Sequence, residues 1–278
     1  MTLRPDQRAQ VWVCDPLVGS ELIYESTQHF EAPNWFGDDL VLNADGQLFI
    51  LRLGGTPARV HFGSEVVINN DHVVSPDGRY IYVSGRDGHL YAVPWEGGAQ
   101  RRVTSHPEGF KAYLHGISTD GTTLSFIGGT AASGQWRTNV HTITVDGAHA
   151  RQLTDDDHED DGAEFGPDGR VWFNSTRASA SPGHAQLFSM SAAGTDVVQH
   201  TFDERVNWFP HPSPAGDRVV YLSYPEGTLG HPADVSVELR MLDSDLTIPL
   251  FGGQGTINVP SWSPDGTRFA YVAYPLAT

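Results

Sequence analysis

The chain has 278 residues, 39% of them hydrophobic and 10% aromatic, and its 30 glycines and 18 prolines punctuate it as a turn-rich β protein with one sizeable core. With 17 basic against 34 acidic residues the formal net charge is −17, which repels duplex nucleic acid and anionic membrane surfaces but leaves a local anion pocket open. Cys14 is the sole cysteine, excluding an intramolecular disulfide and a cysteine-based zinc site.

The opening residues carry no apolar core of a secretory signal, and no run approaches the roughly 18 apolar residues of a spanning helix, so the expectation is a cytoplasmic protein without membrane insertion. Two short apolar strands come first, Val11-Trp12-Val13 and Leu22-Ile23-Tyr24. A turn phrase then recurs: Phe36-Gly37-Asp38-Asp39 in degenerate form, followed by Ser75-Pro76-Asp77-Gly78, Ser118-Thr119-Asp120-Gly121, Gly166-Pro167-Asp168-Gly169, Ser213-Pro214-Ala215-Gly216 and Ser263-Pro264-Asp265-Gly266. Proline presets the first turn angle, aspartate caps its own backbone and glycine supplies positive φ, so each copy predicts a tight turn between antiparallel strands.

Alternating apolar strands follow the turns, among them Tyr80-Ile81-Tyr82-Val83, Leu124-Ser125-Phe126-Ile127 and Phe269-Ala270-Tyr271-Val272. Four strands every roughly 40 to 50 residues is the period of a propeller blade; a β-sandwich accounts for the strands but not for the period. The last copy supplies only two strands, and the two unassigned strands at the start complete it. The expected fold is therefore an all-β, six-bladed propeller of four-stranded blades, one domain over residues 1–278, closed by pairing its two ends so that no sheet edge is left exposed.

The Pro-Asp-Gly hairpins, with phrases such as Trp262-Ser263-Pro264-Asp265-Gly266 and Arg151-Gln152-Leu153-Thr154 between blades, resemble TolB-type propeller repeats over nearly the whole chain. TolB itself is periplasmic, carries an additional N-terminal domain and engages protein partners. The resemblance implies the fold far more strongly than the function, because propellers host unrelated activities.

The segments entering the innermost strands surround the central channel. They read Glu31-Ala32-Pro33-Asn34-Trp35, Asn69-Asn70-Asp71-His72, Tyr113-Leu114-His115-Gly116, Asp160-Asp161-Gly162-Ala163-Glu164, Asn207-Trp208-Phe209-Pro210-His211 and Gln254-Gly255-Thr256-Ile257-Asn258. Histidine, carboxylate and amide oxygen suit a divalent metal (Mn, Ca or Zn) and equally suit acid–base work. His72 and His115 share one register, three residues before the turn, as a pair facing each other across adjacent blades; His211 sits one residue out of register. The competing reading is that these polar groups cap backbone and line a solvated channel. His231 and Arg177 lie on long loops over the same face, Arg177 as a candidate anion clamp. Asn70, Tyr113, Trp208, Asn258 and His231 are the candidate ligand contacts, Tyr113 and Trp208 for stacking on sugar rings; Trp136 lies near the same face.

Oligogalacturonate lyases are similar in repeat type, although seven-bladed. That likeness implies a metal held by His72, His115, His211 and Gln254, with Glu31 or Asp161 as base and Arg177 clamping an acidic or oxidised carbohydrate. The glycine-rich stretch Gly252–Thr256 lacks the lysine and helix of a phosphate loop, so no nucleotide cofactor is expected, and the acidic run Asp155–Asp161 lacks EF-hand spacing. Two functions stay open: a metal-dependent carbohydrate lyase or hydrolase, and a non-catalytic propeller binding a sugar or a protein partner.

Overall fold

In a computed structural model, residues 2–63, 66–131, 134–179 and 181–276 are described. The repeated turn is built as its residues dictate. Gly78 takes φ +68°, Ser75 Oγ donates to Asp77 at 2.7 Å, and the Tyr80 amide donates back to Ser75 Oγ at 3.0 Å. The same arrangement recurs at Ser118 and Ser263. Where Ala215 replaces the aspartate, Asp217 takes over the bond from Ser213 at 2.8 Å.

Each turn joins the innermost strand of a blade to the second. Blade one runs from Glu31–Phe36 outward to Ala58–Arg59, blade two from Ile68–Val74 to Arg101–Arg102, and blade three from Lys111–Ile117 to Ala150–Gln152. Blade four runs from Asp160–Phe165 to Val198–Gln199, and blade five from Val206–Pro212 to Thr247–Gly253. All five are four-stranded antiparallel sheets. Their second strands are buried on both faces, as in Tyr80–Gly85, because each blade packs between two neighbours. The cores therefore lie between blades: Val41 and Leu48 of blade one pack with Ile81, Val83 and Val93 of blade two.

Blade six joins the two ends of the chain. Phe269–Ala273 pairs with Ala9–Asp15, which pairs with Gly19–Ser26. Val11 lies opposite Val272, and the rings of Trp12 and Tyr271 stack at 6.3 Å. The fourth, innermost position is filled by residues 254–262, which bond to the neighbouring strand at Thr256 and Ser261 but form no regular ladder. Gly255, at φ +91°, and Pro260, which has no amide proton, account for that irregularity.

One irregularity repeats where the other inner strands enter the channel. The register slips between Glu31 and Asn34, Ile68 and His72, Leu114 and Gly116, Asp161 and Glu164, and Trp208 and His211. Ala32 (φ 55°), Gly162 (φ 65°) and Phe209 (φ 53°) occupy equivalent left-handed positions in three of these bulges. For alanine and phenylalanine that conformation costs about 1–2 kcal/mol, held by the surrounding packing. Among the described residues no helix is long and apolar enough to cross a membrane.

Candidate active site at the channel mouth

A cavity of about 370 Å³ opens where the inner strands begin, with side chains from five blades. Blade two supplies Asn69, Asn70 and Asp71, blade three Tyr113, His115, Trp136 and Thr138, and blade four Glu159 and Asp161. Phe209 and His231 come from blade five, Gln254 and Asn258 from the irregular strand of blade six. A larger depression of about 600 Å³ lies among the Pro-Asp-Gly turns, but its acids, Asp77, Asp120 and Asp146, are tied into their own turns.

The bulges decide which side chains reach the cavity. In blade four the bulge turns Asp161 inward, where it accepts from His115 Nε2 at 2.8 Å and lies 3.5 Å from His231 Nε2. His115 Nδ1 is held by the Asn258 carbonyl at 3.2 Å, and its ring stacks on Phe209. His231 reaches in from its loop, contacts Gln254 Oε1 through Nδ1 and packs edge-on against Trp208 and Phe209.

The electrostatics follow from one buried carboxylate between two imidazoles. Burial alone pushes the Asp161 pKa up, but His115 and His231 outweigh it and hold the group below the usual carboxylate range. Burial alone would depress His115; Asp161, with Asp71 behind it, lifts it to about 9. His231 is raised for the same reason, against its own desolvation. Asp71 has no such partner: burial pushes it up to about 6, the Asp161 charge adding to the rise while His115 opposes it. Among the cavity's carboxyl groups, Asp161 and Asp71 are thus moved in opposite directions, Asp161 below the usual carboxylate range and Asp71 up to about 6.

Several expected residues lie elsewhere. His72 is fully buried, its Nδ1 3.0 Å from the Asn70 carbonyl and its Nε2 3.1 Å from the Val41 carbonyl in blade one. It does not face His115, because the bulge in blade two turns it toward its neighbour, and burial lowers it to about 4. His211 is set between Glu164 and the Ile257 carbonyl, at 2.6 Å each, deeper in the channel. Arg177 pairs with the buried Asp160 at 3.0 and 3.1 Å and lies over Phe173, so its guanidinium stays out of the cavity. Its loop contains Ala180, which lies outside the described residues. Trp208 is fully buried, and the bulge presents its neighbour Phe209 in its place. Glu31 stands behind Gly255, raised to about 7 by burial, with Asp71 adding to the rise and the Asn70 amide easing it.

Of the residues expected from sequence, His115, Gln254, Asp161, Asn70, Tyr113, Asn258 and His231 meet in the cavity. Asp71, Phe209, Glu159 and Thr138 were not anticipated. Asp71 and Phe209 lie in the strand-entry segments, where the only available signal is a bulge that local alternation does not reveal.

The chain is 36% identical over 267 residues to an uncharacterized protein of Agrobacterium fabrum, spanning 91% of this chain and 87% of that one. It also superposes with a TM-score of 0.86, at 33% identity and over 97% and 99% of the two chains, on the Agrobacterium tumefaciens structure designated a candidate TolB. The chain belongs to the TolB-like propeller family. An oligogalacturonate lyase in complex with manganese shares the fold at a TM-score of 0.55 and 14% identity, over 83% of this chain and 66% of that one. No protein-family model matches the chain.

The manganese of that distant neighbour tests the metal-ligand set expected here. In this TolB-like propeller both ring nitrogens of His72 and of His211 lie against backbone carbonyls or the Glu164 carboxyl, and neither ring lines the cavity, so neither turns a nitrogen toward a metal there. Among the described residues no three histidine, cysteine or acidic side chains converge as a metal group. The expected quartet does not fit a metal, since only His115 and Gln254 of the four line the cavity.

Proposed function

We propose that the channel-mouth cavity binds a small, uncharged, polyhydroxylated ligand of the carbohydrate class and performs acid–base chemistry on it. The observation that carries this reading is the pairing of Asp71 with Asp161 in one cavity, their pKa values pushed apart by their surroundings. Asp71, titrating at about 6, is suited to take a proton from a ligand hydroxyl or carbon near neutral pH. His115, kept cationic by Asp161, is suited to stabilise or protonate the oxygen that gains charge. The amides of Asn69, Asn70, Gln254 and Asn258 match hydroxyl groups, and Tyr113, Phe209 and Trp136 offer aromatic faces. A volume of about 370 Å³ lies in the range of small-molecule sites. Among the described residues the lining contains no lysine or arginine, which favours a neutral sugar over the acidic or oxidised one expected from sequence.

Thermal-shift screening against neutral mono- and disaccharides and sugar acids, each with manganese and with a chelator, tests the proposal. Stabilisation by a neutral sugar that survives the chelator is the expected result, with Asp71→Asn binding the same sugar but failing to turn it over. Stabilisation only by sugar acids and only with manganese overturns it in favour of a metal-dependent lyase. No response to any sugar overturns it altogether.

A further inference from the structure

Resting on that reading, we infer that the blade-three side of the cavity is a pyranose-ring subsite, with Trp136 as the stacking platform and Asn70 and Thr138 reading ring hydroxyls. Trp136 is 46% exposed, unusual for an indole unless something covers it. Its ring lies directly over the backbone of Gly129 in the second strand of blade three. A Cβ at Gly129 would come within 2.3 Å of Trp136 Cζ2 and within 3.0 Å of Cε2.

Gly129 does not have positive φ, so its conformation does not call for glycine. Glycine inside a strand costs about 0.5–1 kcal/mol and marks the close approach of another group. Here that group is the indole of Trp136, which also lines the cavity. On the opposite face of the same strand Gly128 leaves room for His141 and Phe110, so the tandem glycines serve two different neighbours.

The second observation is independent of the first. Asn70, only 7% exposed, lines the cavity; its amide lies beside the Glu31 carboxyl, yet its Nδ2 forms no hydrogen bond of good geometry among the described residues. Thr138, partly buried, lines the same cavity, and its Oγ1 is a buried atom without a partner among the described residues. Buried polar groups without partners cost about 1–3 kcal/mol each, a cost that a ligand oxygen in reach of them removes. The charged group of the cavity has no such need, because Asp161, His115, His231 and Gln254 bond to one another.

Neutral donors beside an aromatic plane select a ligand with an apolar face and a hydroxyl-bearing edge. A pyranose has both; an open-chain polyol lacks the rigid face. The subsite also orients the ligand, its stacked ring toward blade three and its reacting edge toward Asp71 and Asp161.

Saturation-transfer NMR with methyl glycopyranosides, and with sorbitol as the open-chain control, tests the subsite. We expect transfer to the C–H protons of at least one pyranoside and none to sorbitol. Trp136→Ala should weaken binding about tenfold, the scale of a lost aromatic stack and its buried area. Gly129→Ala, which keeps every polar group and displaces only the ring, should weaken it in the same direction. Thr138→Val should alter the preference among epimers. Because Trp136 is half exposed, its variant should keep the wild-type melting temperature, so lost binding is not lost folding. Pyranosides that bind Trp136→Ala and Gly129→Ala as tightly as wild type overturn the subsite while leaving the acid–base cavity standing. Sorbitol binding as well as the pyranosides also overturns it, and if no pyranoside binds, both readings fall.

Discussion

Asp161 is the residue on which the cavity's charge rests. It is the common acceptor of His115 and His231, and replacing it by a neutral amide leaves two buried imidazoles without their counter-charge. Asp161→Asn should therefore destabilise the protein by about 3–5 kcal/mol in urea unfolding, the usual cost of breaking a buried pair by removing one partner. The pH dependence has a definite sign. The pKa of His115 is raised from 6.5 to about 9, so the stability it contributes is complete below 6.5 and is lost as pH rises through 9. Wild type should lose stability between pH 7 and 10, whereas Asp161→Asn should be nearly flat there; equal slopes would show that the pair contributes nothing.

At the scale of the strand, the bulges are the devices that make a site out of a scaffold. Without them the alternation of a pleated strand would present Trp208 in place of Phe209 and would leave Asp71 out of the cavity. Ala32 marks one bulge with φ 55°, and its amide donates to the Gly255 carbonyl at 2.7 Å. Ala32→Gly removes the left-handed penalty but adds chain entropy in the unfolded state, so it should stabilise by up to about 1 kcal/mol. Ala163→Gly, at an equally buried position whose φ is not positive, should instead destabilise by about 1 kcal/mol. Chemical denaturation of the two variants side by side checks the difference in sign. The segments that enter the channel were legible from the repeat, and seven of the expected residues meet there. Which residue of each segment faces inward was not legible, because a bulge depends on the partner strand and on the next blade. His72 and His115 illustrate it: equally spaced from their turns, one lies buried against blade one and the other opens on the cavity.

For the whole molecule, closure of the ring is the cooperative event. Ala9–Asp15 and Phe269–Ala273 bring the two ends together, and Gln10 faces Ala273 across that junction. A Gln10→Cys, Ala273→Cys pair, once oxidised, would close a loop of nearly the whole chain and should add up to about 4–5 kcal/mol, lost again on reduction. Calorimetry with and without reductant checks it; an unchanged melting temperature would mean that the ring opens elsewhere before its ends part. The number of blades and their closure could be read from sequence because the Pro-Asp-Gly turn is a local device: proline, aspartate and glycine set their own dihedral angles wherever they occur, and their spacing counts the hairpins. The irregular inner strand of blade six, the fate of Arg177 on Asp160 and the opposed shifts of Asp71 and Asp161 were decided only in three dimensions. The shifts of Asp71 and Asp161 depend on groups from other blades, and Arg177 meets Asp160 across its own blade; burial and charge act through space rather than along the chain.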